Sequence, residues 1–137
     1  MNFMKRIEHI GIAVENLDQS IDLYTKLLNV ECYKTEEVSS EKVITAFFKS
    51  ADQKIELLAS TDPEGPIAKF LAKEGPGLHH IAFAVEDIYV EIDRLKSQGF
   101  VFVSETPKRG ADNKWVVFLH PKSLGGVLVE LCQDIKA

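Results

Sequence analysis

Two stretches of the chain alternate bulky and small or polar residues in the same way. In the first, Ile10, Ile12 and Val14 alternate with His9, Gly11 and Ala13. In the second, Ile81, Phe83 and Val85 alternate with His80, Ala82 and Ala84. A period of two marks a strand whose two faces meet different surroundings. After each stretch the spacing lengthens to three and four, through Leu17, Ile21, Tyr24, Leu27 and Leu28, and then through Ile88, Ile92 and Leu95. That spacing predicts an amphipathic helix behind each strand. Asp18 is expected to cap the first helix and Asp87 the second, with Gly99 as the stop signal of the latter.

The parallel continues. Three strand-like runs follow the first helix, Val30–Lys34, Val43–Lys49 and Gln53–Ala59. Three follow the second, Phe100–Ser104, Lys114–His120 and Val127–Cys132. Turn residues separate them, notably Ser50-Ala51-Asp52, Gly110 through Asn113, and Pro121 through Gly126. The chain thus reads as two tandem βαβββ modules, about residues 5–59 and 77–133. The connector, 60–76, holds Pro63, Gly65, Pro66, Gly75 and Pro76, with a short helical piece at Ile67–Lys73. One such unit would be marginal alone, so residues 1–137 are expected to fold as a single domain sharing one core.

Alternation assigns faces. The bulky face of each first strand should pack on the helices, leaving one histidine followed by very small residues on the other. The last strands agree, since Glu56 lies between Ile55 and Leu57, and Glu130 between Val129 and Leu131. Four strands therefore each direct one metal-ligand type away from the greasy face. A carboxylate among apolar neighbours is costly unless paired or coordinated, and one divalent cation would meet that cost for His9, Glu56, His80 and Glu130 together. Taken singly, each residue reads more readily as structural or solvated than as a ligand. The repetition of the His-to-Glu pattern is what favours a site.

Composition excludes several classes. Hydrophobic residues make up 45% of 137 and charged residues 27%, which suits a globular chain. The formal net charge of -5 favours neither nucleic acid nor an anionic membrane as partner. No apolar run nears the roughly 18 residues that cross a bilayer, and the first residues lack a secretory pattern. Cys32 and Cys132 are too few for a disulfide framework and read as reduced thiols, so a cytoplasmic location is the default expectation.

These residues resemble the vicinal oxygen chelate superfamily, which includes glyoxalases, extradiol dioxygenases and fosfomycin-resistance proteins. The resemblance runs from about Ile7 to Gln133. It is strongest to the epimerase branch that acts on methylmalonyl-CoA, through His9-Ile10-Gly11-Ile12-Ala13-Val14, Lys54-Ile55-Glu56-Leu57-Leu58, Pro66-Ile67-Ala68-Lys69-Phe70-Leu71, Gly77-Leu78-His79-His80-Ile81-Ala82, Phe118-Leu119-His120-Pro121-Lys122 and Gly125-Gly126-Val127-Leu128-Val129-Glu130. It implies an α+β fold: a curved mixed sheet around a metal-binding cleft, with helices on the outer face. It also implies His9, Glu56, His80 and Glu130 as ligands of a divalent cation (Co, Mn, Ni, Zn or Mg), an acyl-CoA thioester substrate and a homodimer. Some epimerases carry glutamine where this chain has Glu56.

The implied chemistry interconverts the C2 epimers of methylmalonyl-CoA through an enolate, which needs proton-transfer groups on two opposed faces. Glu130 is the first choice for one. Several epimerases place a glutamate where this chain has Thr45, a poor base, so Glu56 is preferred for the other, with a water held by Thr45 as the alternative. His120 is read as a substrate contact or as a fixture of its turn. Lys108, Arg109 and Lys122 are read as a basic patch for a CoA tail or as plain surface residues. His79, beside a ligand, is expected to pack on the opposite face of its strand. Two other functions compete: a lactoylglutathione lyase (glyoxalase) acting on a glutathione hemithioacetal, and a non-catalytic small-molecule-binding module.

Overall fold

The computed structural model describes residues 4–136. They carry β1 (Met4–Ala13), α1 (Leu17–Leu28), β2 (Lys34–Val38), β3 (Val43–Ser50), β4 (Gln53–Ser60), α2 (Pro66–Glu74), β5 (Gly77–Val85), α3 (Ile88–Ser97), β6 (Lys108–Gly110), β7 (Lys114–Leu119) and β8 (Val129–Asp134). The architecture is α+β with mixed strand pairing, in two βαβββ repeats joined by the connector helix α2. By contacts the chain forms two compact units, residues 9–79 and the remainder, so β1 changes unit after Glu8.

In the unit of residues 9–79 the strand order is β2-β3-β4-β1. β1 runs parallel to β4, with Gly11 opposite Glu56 and Ala13 opposite Leu58. The β3–β4 and β2–β3 pairs are antiparallel. Ile12 and Val14, Ile55, Leu57 and Ala59, and Ala46 and Phe48 pack against Leu17, Ile21, Tyr24 and Leu28 of α1, as the two periods require. The connector helix covers a different surface, where Ile67, Phe70 and Leu71 pack with Ala13, Val43 and Leu58.

The other unit repeats the plan in the order β5-β8-β7-β6. β5 is parallel to β8, and β7 is antiparallel to β8 and β6. Ile88, Ile92 and Leu95 of α3 pack on Phe83 and Val85, Val117 and Leu119, and Val129 and Leu131. Glu91 on the same helix is fully buried, held by the Arg94 guanidinium at 2.9 Å.

Four expectations are corrected. Asn16, not Asp18, caps α1, its Oδ1 accepting the Gln19 N–H at 2.9 Å. The run Val30–Lys34 is not a strand: Val30 and Cys32 pack as an irregular segment, and β2 begins at Lys34. Phe100–Ser104 forms only a bridge, Phe102 opposite Leu119, and β6 arises instead at Lys108–Gly110. β8 begins at Val129 rather than Val127 because Gly125 and Gly126, both at positive φ, still belong to the turn. Asp87 caps α3 as expected, accepting the N–H groups of Tyr89 and Val90. Among the described residues, no helix is long and apolar enough to cross a membrane.

Candidate metal centre

Directly opposed residues on paired strands point to one face. In the first unit that rule puts His9 and Gly11 of β1, Glu56 of β4 and Phe47 of β3 on one side. His9 Nε2 lies 3.2 Å from Glu56 Oε1. Phe47 sits opposite Glu56 in the ladder, and its ring meets the His9 imidazole edge-on at 6.5 Å and 87°.

The second unit builds the same group. Ala82 of β5 pairs with Glu130, which pairs with Phe118 of β7. His80 Nε2 is 3.3 Å from Glu130 Oε1, and the Phe118 ring meets His80 edge-on at 5.8 Å and 86°. Each unit thus carries a His–Glu pair buttressed by a phenylalanine. The histidines are 5% and 4% exposed, and the glutamates 5% and 6%. Burying an anionic carboxylate costs several kcal/mol unless a cation compensates it. Two imidazoles and two carboxylates match the donor preferences of a first-row divalent metal, so the donor set fits the cation that the resemblance implies. Ala82 and Ala84 on this face are nearly inaccessible despite their size. The aromatic buttresses escaped the sequence reading. Their signal was the matching position of Phe47 and Phe118 in the two repeats.

The remaining residues fall as follows. Thr45, 1% exposed, donates its hydroxyl to the Glu36 carbonyl at 3.2 Å. His79 packs its ring against Phe70 of α2 at 4.8 Å. His120 directly follows β7, and its Nδ1 accepts the Lys122 N–H at 3.1 Å. A neutral His120 therefore carries its proton on Nε2. Lys108 pairs with Val116 and so shares the Phe118 face, whereas Arg109 pairs with Trp115 on the opposite side and contacts Asn113 at 3.3 Å. Lys122 is exposed.

One polar group escaped the sequence reading altogether. Lys114, only 8% exposed, bonds the Asp134 carboxylate and lies 4.0 Å from the buried Glu8. The Lys114 hydrogen bond holds the Asp134 carboxyl below its ordinary range. Cys132, between Glu130 and Asp134 on β8, is an inert thiol: burial pushes it far above its ordinary range, and the charge of Glu130 adds to this.

Duplicated βαβββ units, each with a buried His–Glu pair, define a class. Residues 8–118 match the Glyoxalase/Bleomycin resistance protein/Dioxygenase superfamily, and the chain belongs to it. Within that class it is 42% identical over 130 residues to the ethylmalonyl-CoA/methylmalonyl-CoA epimerase of Cereibacter sphaeroides, covering 93% of this chain and 97% of the relative. The structure of methylmalonyl-CoA epimerase from Mycobacterium tuberculosis superposes with a TM-score of 0.95 at 36% identity, covering 99% and 92% of the two chains. A methylmalonyl-CoA epimerase solved in complex with methylmalonyl-CoA and NH4+ gives a TM-score of 0.89 at 33% identity, covering 96% and 95%.

Proposed function

We propose that this protein is a divalent-metal-dependent epimerase that interconverts the C2 epimers of methylmalonyl-CoA. The observation that carries the reading is the repeated buried His–Glu pair, at 3.2 and 3.3 Å, in a chain 42% identical to an epimerase of this substrate class. His9 and Glu56 from one repeat and His80 and Glu130 from the other are assigned as ligands of one cation. When bound, that cation supplies Lewis acidity toward negative charge developing on a thioester oxygen.

The chain's own groups move the protons. Glu130 takes the C2 proton from one face: the C–H bond breaks and its electron pair spreads into the thioester carbonyl as an enolate. A protonated carboxyl on the other face returns a proton to C2, and solvent then restores both groups. Among the ligands themselves, Glu56 is the counterpart for that second transfer. His120, through its Nε2–H, is assigned to hold an anionic oxygen of the substrate. Thr45 is assigned to shape the wall beside the acyl group. Lys108, Arg109 and Lys122 are assigned to the phosphates of the CoA tail. Because β6 is the edge strand of its unit, a tail crossing that edge passes both faces. A homodimer in a cytoplasmic setting completes the proposal, and the free thiols of Cys32 and Cys132 suit a reducing compartment.

The test is exchange of the C2 hydrogen of methylmalonyl-CoA with D₂O by metal-loaded protein, alongside methylglyoxal with glutathione. Exchange with the first and silence with the second is expected. The reverse would identify a glyoxalase, and silence with both would leave a binding module. Glu130→Gln is expected to lower exchange by about 100-fold or more while remaining folded. An unchanged rate would remove Glu130 as a base.

A further inference from the structure

Epimerisation needs a proton-transfer group opposed to Glu130. The face that carries His9 and Glu56 offers few alternatives. Following the register outward from β4, Glu56 is opposite Phe47 and Leu58 is opposite Thr45. Phe47 is in turn opposite Lys34, and Thr45 is opposite Glu36. Lys34 and Glu36 of β2 therefore share the face of the His–Glu pair, while Thr35 and Glu37 turn away. Burial agrees: residues 34, 36 and 38 are half-buried, and 35 and 37 are exposed. Among the described strand residues of this face, Glu36 is the one carboxylate besides Glu56.

Its surroundings suit proton transfer. The Glu36 side chain is 31% exposed, so it can exchange protons with water, yet it is not a freely solvated surface group. Lys34 Nζ lies 3.2 Å from Glu36 Oε1. The backbone beneath it is fixed, because the Thr45 hydroxyl donates to the Glu36 carbonyl at 3.2 Å. Thr45 itself is buried and engaged as a donor. Just beyond, Val38, Val43 and Leu58 are covered by Ile67, Phe70 and Leu71 of α2, so an apolar floor ends the face on that side. β2 stands two strands from β4, about 10 Å at the usual spacing.

We infer that Glu36 is the second acid–base group of the epimerisation, the one that meets C2 from the face opposed to Glu130. The inference rests on the epimerase reading and changes only the identity of the opposed group, leaving Glu56 as a ligand. In one direction Glu36 accepts the C2 proton, the C–H electron pair moves into the thioester carbonyl, and Glu130 as the acid protonates C2 from the other side. In the reverse direction the roles exchange. After each turnover water removes the proton gained by one carboxyl and replaces the one lost by the other.

The experiment uses each C2 epimer of methylmalonyl-CoA separately, in D₂O, with metal-loaded protein and the Glu36→Gln and Glu36→Asp variants. A Co²⁺ titration of each variant checks that the metal still binds. For Glu36→Gln, interconversion is expected to fall by about 100-fold, with Co²⁺ affinity unchanged. Deuterium should still wash into the one epimer whose C2 hydrogen faces Glu130, with retention of configuration. Glu36→Asp should recover part of the interconversion. Wild-type interconversion by Glu36→Gln would overturn the assignment, as would loss of exchange from both epimers with the metal still bound. Silence of the wild-type protein with both epimers would instead overturn the epimerase reading on which the assignment stands.

Discussion

Phe47 and Phe118 show how single residues tune the two pairs. Each stands opposite its glutamate in the ladder and edge-on to its histidine. A ring in that position restricts the rotation of the imidazole and keeps Nε2 directed at the carboxylate. Groups that orient a ligand in this way change metal affinity by about 10- to 100-fold when removed. Phe118→Leu keeps an apolar side chain of moderate size at a half-buried position, so the apo fold should survive. Its Co²⁺ affinity is expected to fall by about 10-fold, read by titration, with little change in the melting temperature of the metal-free protein. A lowered apo melting temperature with unchanged affinity would show that Phe118 only fills space. The shared faces of His9 with Glu56 and of His80 with Glu130 were legible in the sequence because a period of two separates faces without any knowledge of the fold. The aromatic buttresses were not, because what defines them is the cross-strand partner, and pairing register is not written in a single strand. Buried Lys114 escaped for a related reason: at the start of β7, beside turn residues, it reads as solvated until Glu8 and Asp134 are seen to meet it.

Elements with a strong apolar period were read well, and those without one were displaced. β3 and β4 carry continuous buried runs and appear where the sequence puts them. β2 is Lys-Thr-Glu-Glu-Val, an edge strand. Charge on an edge discourages pairing with other chains and also hides the strand from any hydrophobic pattern. Val30 and Cys32 mimicked a strand because they do pack against the α1 cluster. Their segment follows Asn29 in the left-handed region, and ladder pairing starts only when the Tyr33 N–H reaches the Phe47 carbonyl at 2.9 Å. The displacement matters for function, because the charged edge strand that the pattern missed is the one that brings Glu36 to the His9–Glu56 face. Caps are the other element-scale feature. Asp87 Oδ1 accepts two helix N–H groups, at 3.0 and 3.2 Å, and α3 carries the helical side of its core cluster. Asp87→Ala is expected to destabilise by about 1 kcal/mol, seen as a lower urea midpoint at constant m-value. A midpoint equal to wild type would mean that packing alone holds the start of α3.

At the scale of the whole molecule, the central question is whether the two His–Glu pairs act as one site or as two. The repeats are equivalent in face, burial and distance, and each pair alone offers only two donors, too few to hold a first-row cation tightly against water. If one cation is shared, its binding free energy becomes folding free energy of both units together. A ligand present at 100 times its dissociation constant stabilises the native state by about 2.7 kcal/mol. Wild-type protein should therefore melt at a higher temperature with Co²⁺ than in chelator. His9→Ala and His80→Ala should each lose nearly all of that increment, although the substitutions lie in different repeats. The metal-free melting temperatures of the two variants provide the control, since a packing defect would lower those and leave the increment intact. Two independent sites would behave differently: each single variant would keep about half of the stabilisation, and a titration of wild type would give two equivalents of metal. One equivalent, abolished from either side, is the outcome that an active centre assembled from both halves of a duplicated chain requires.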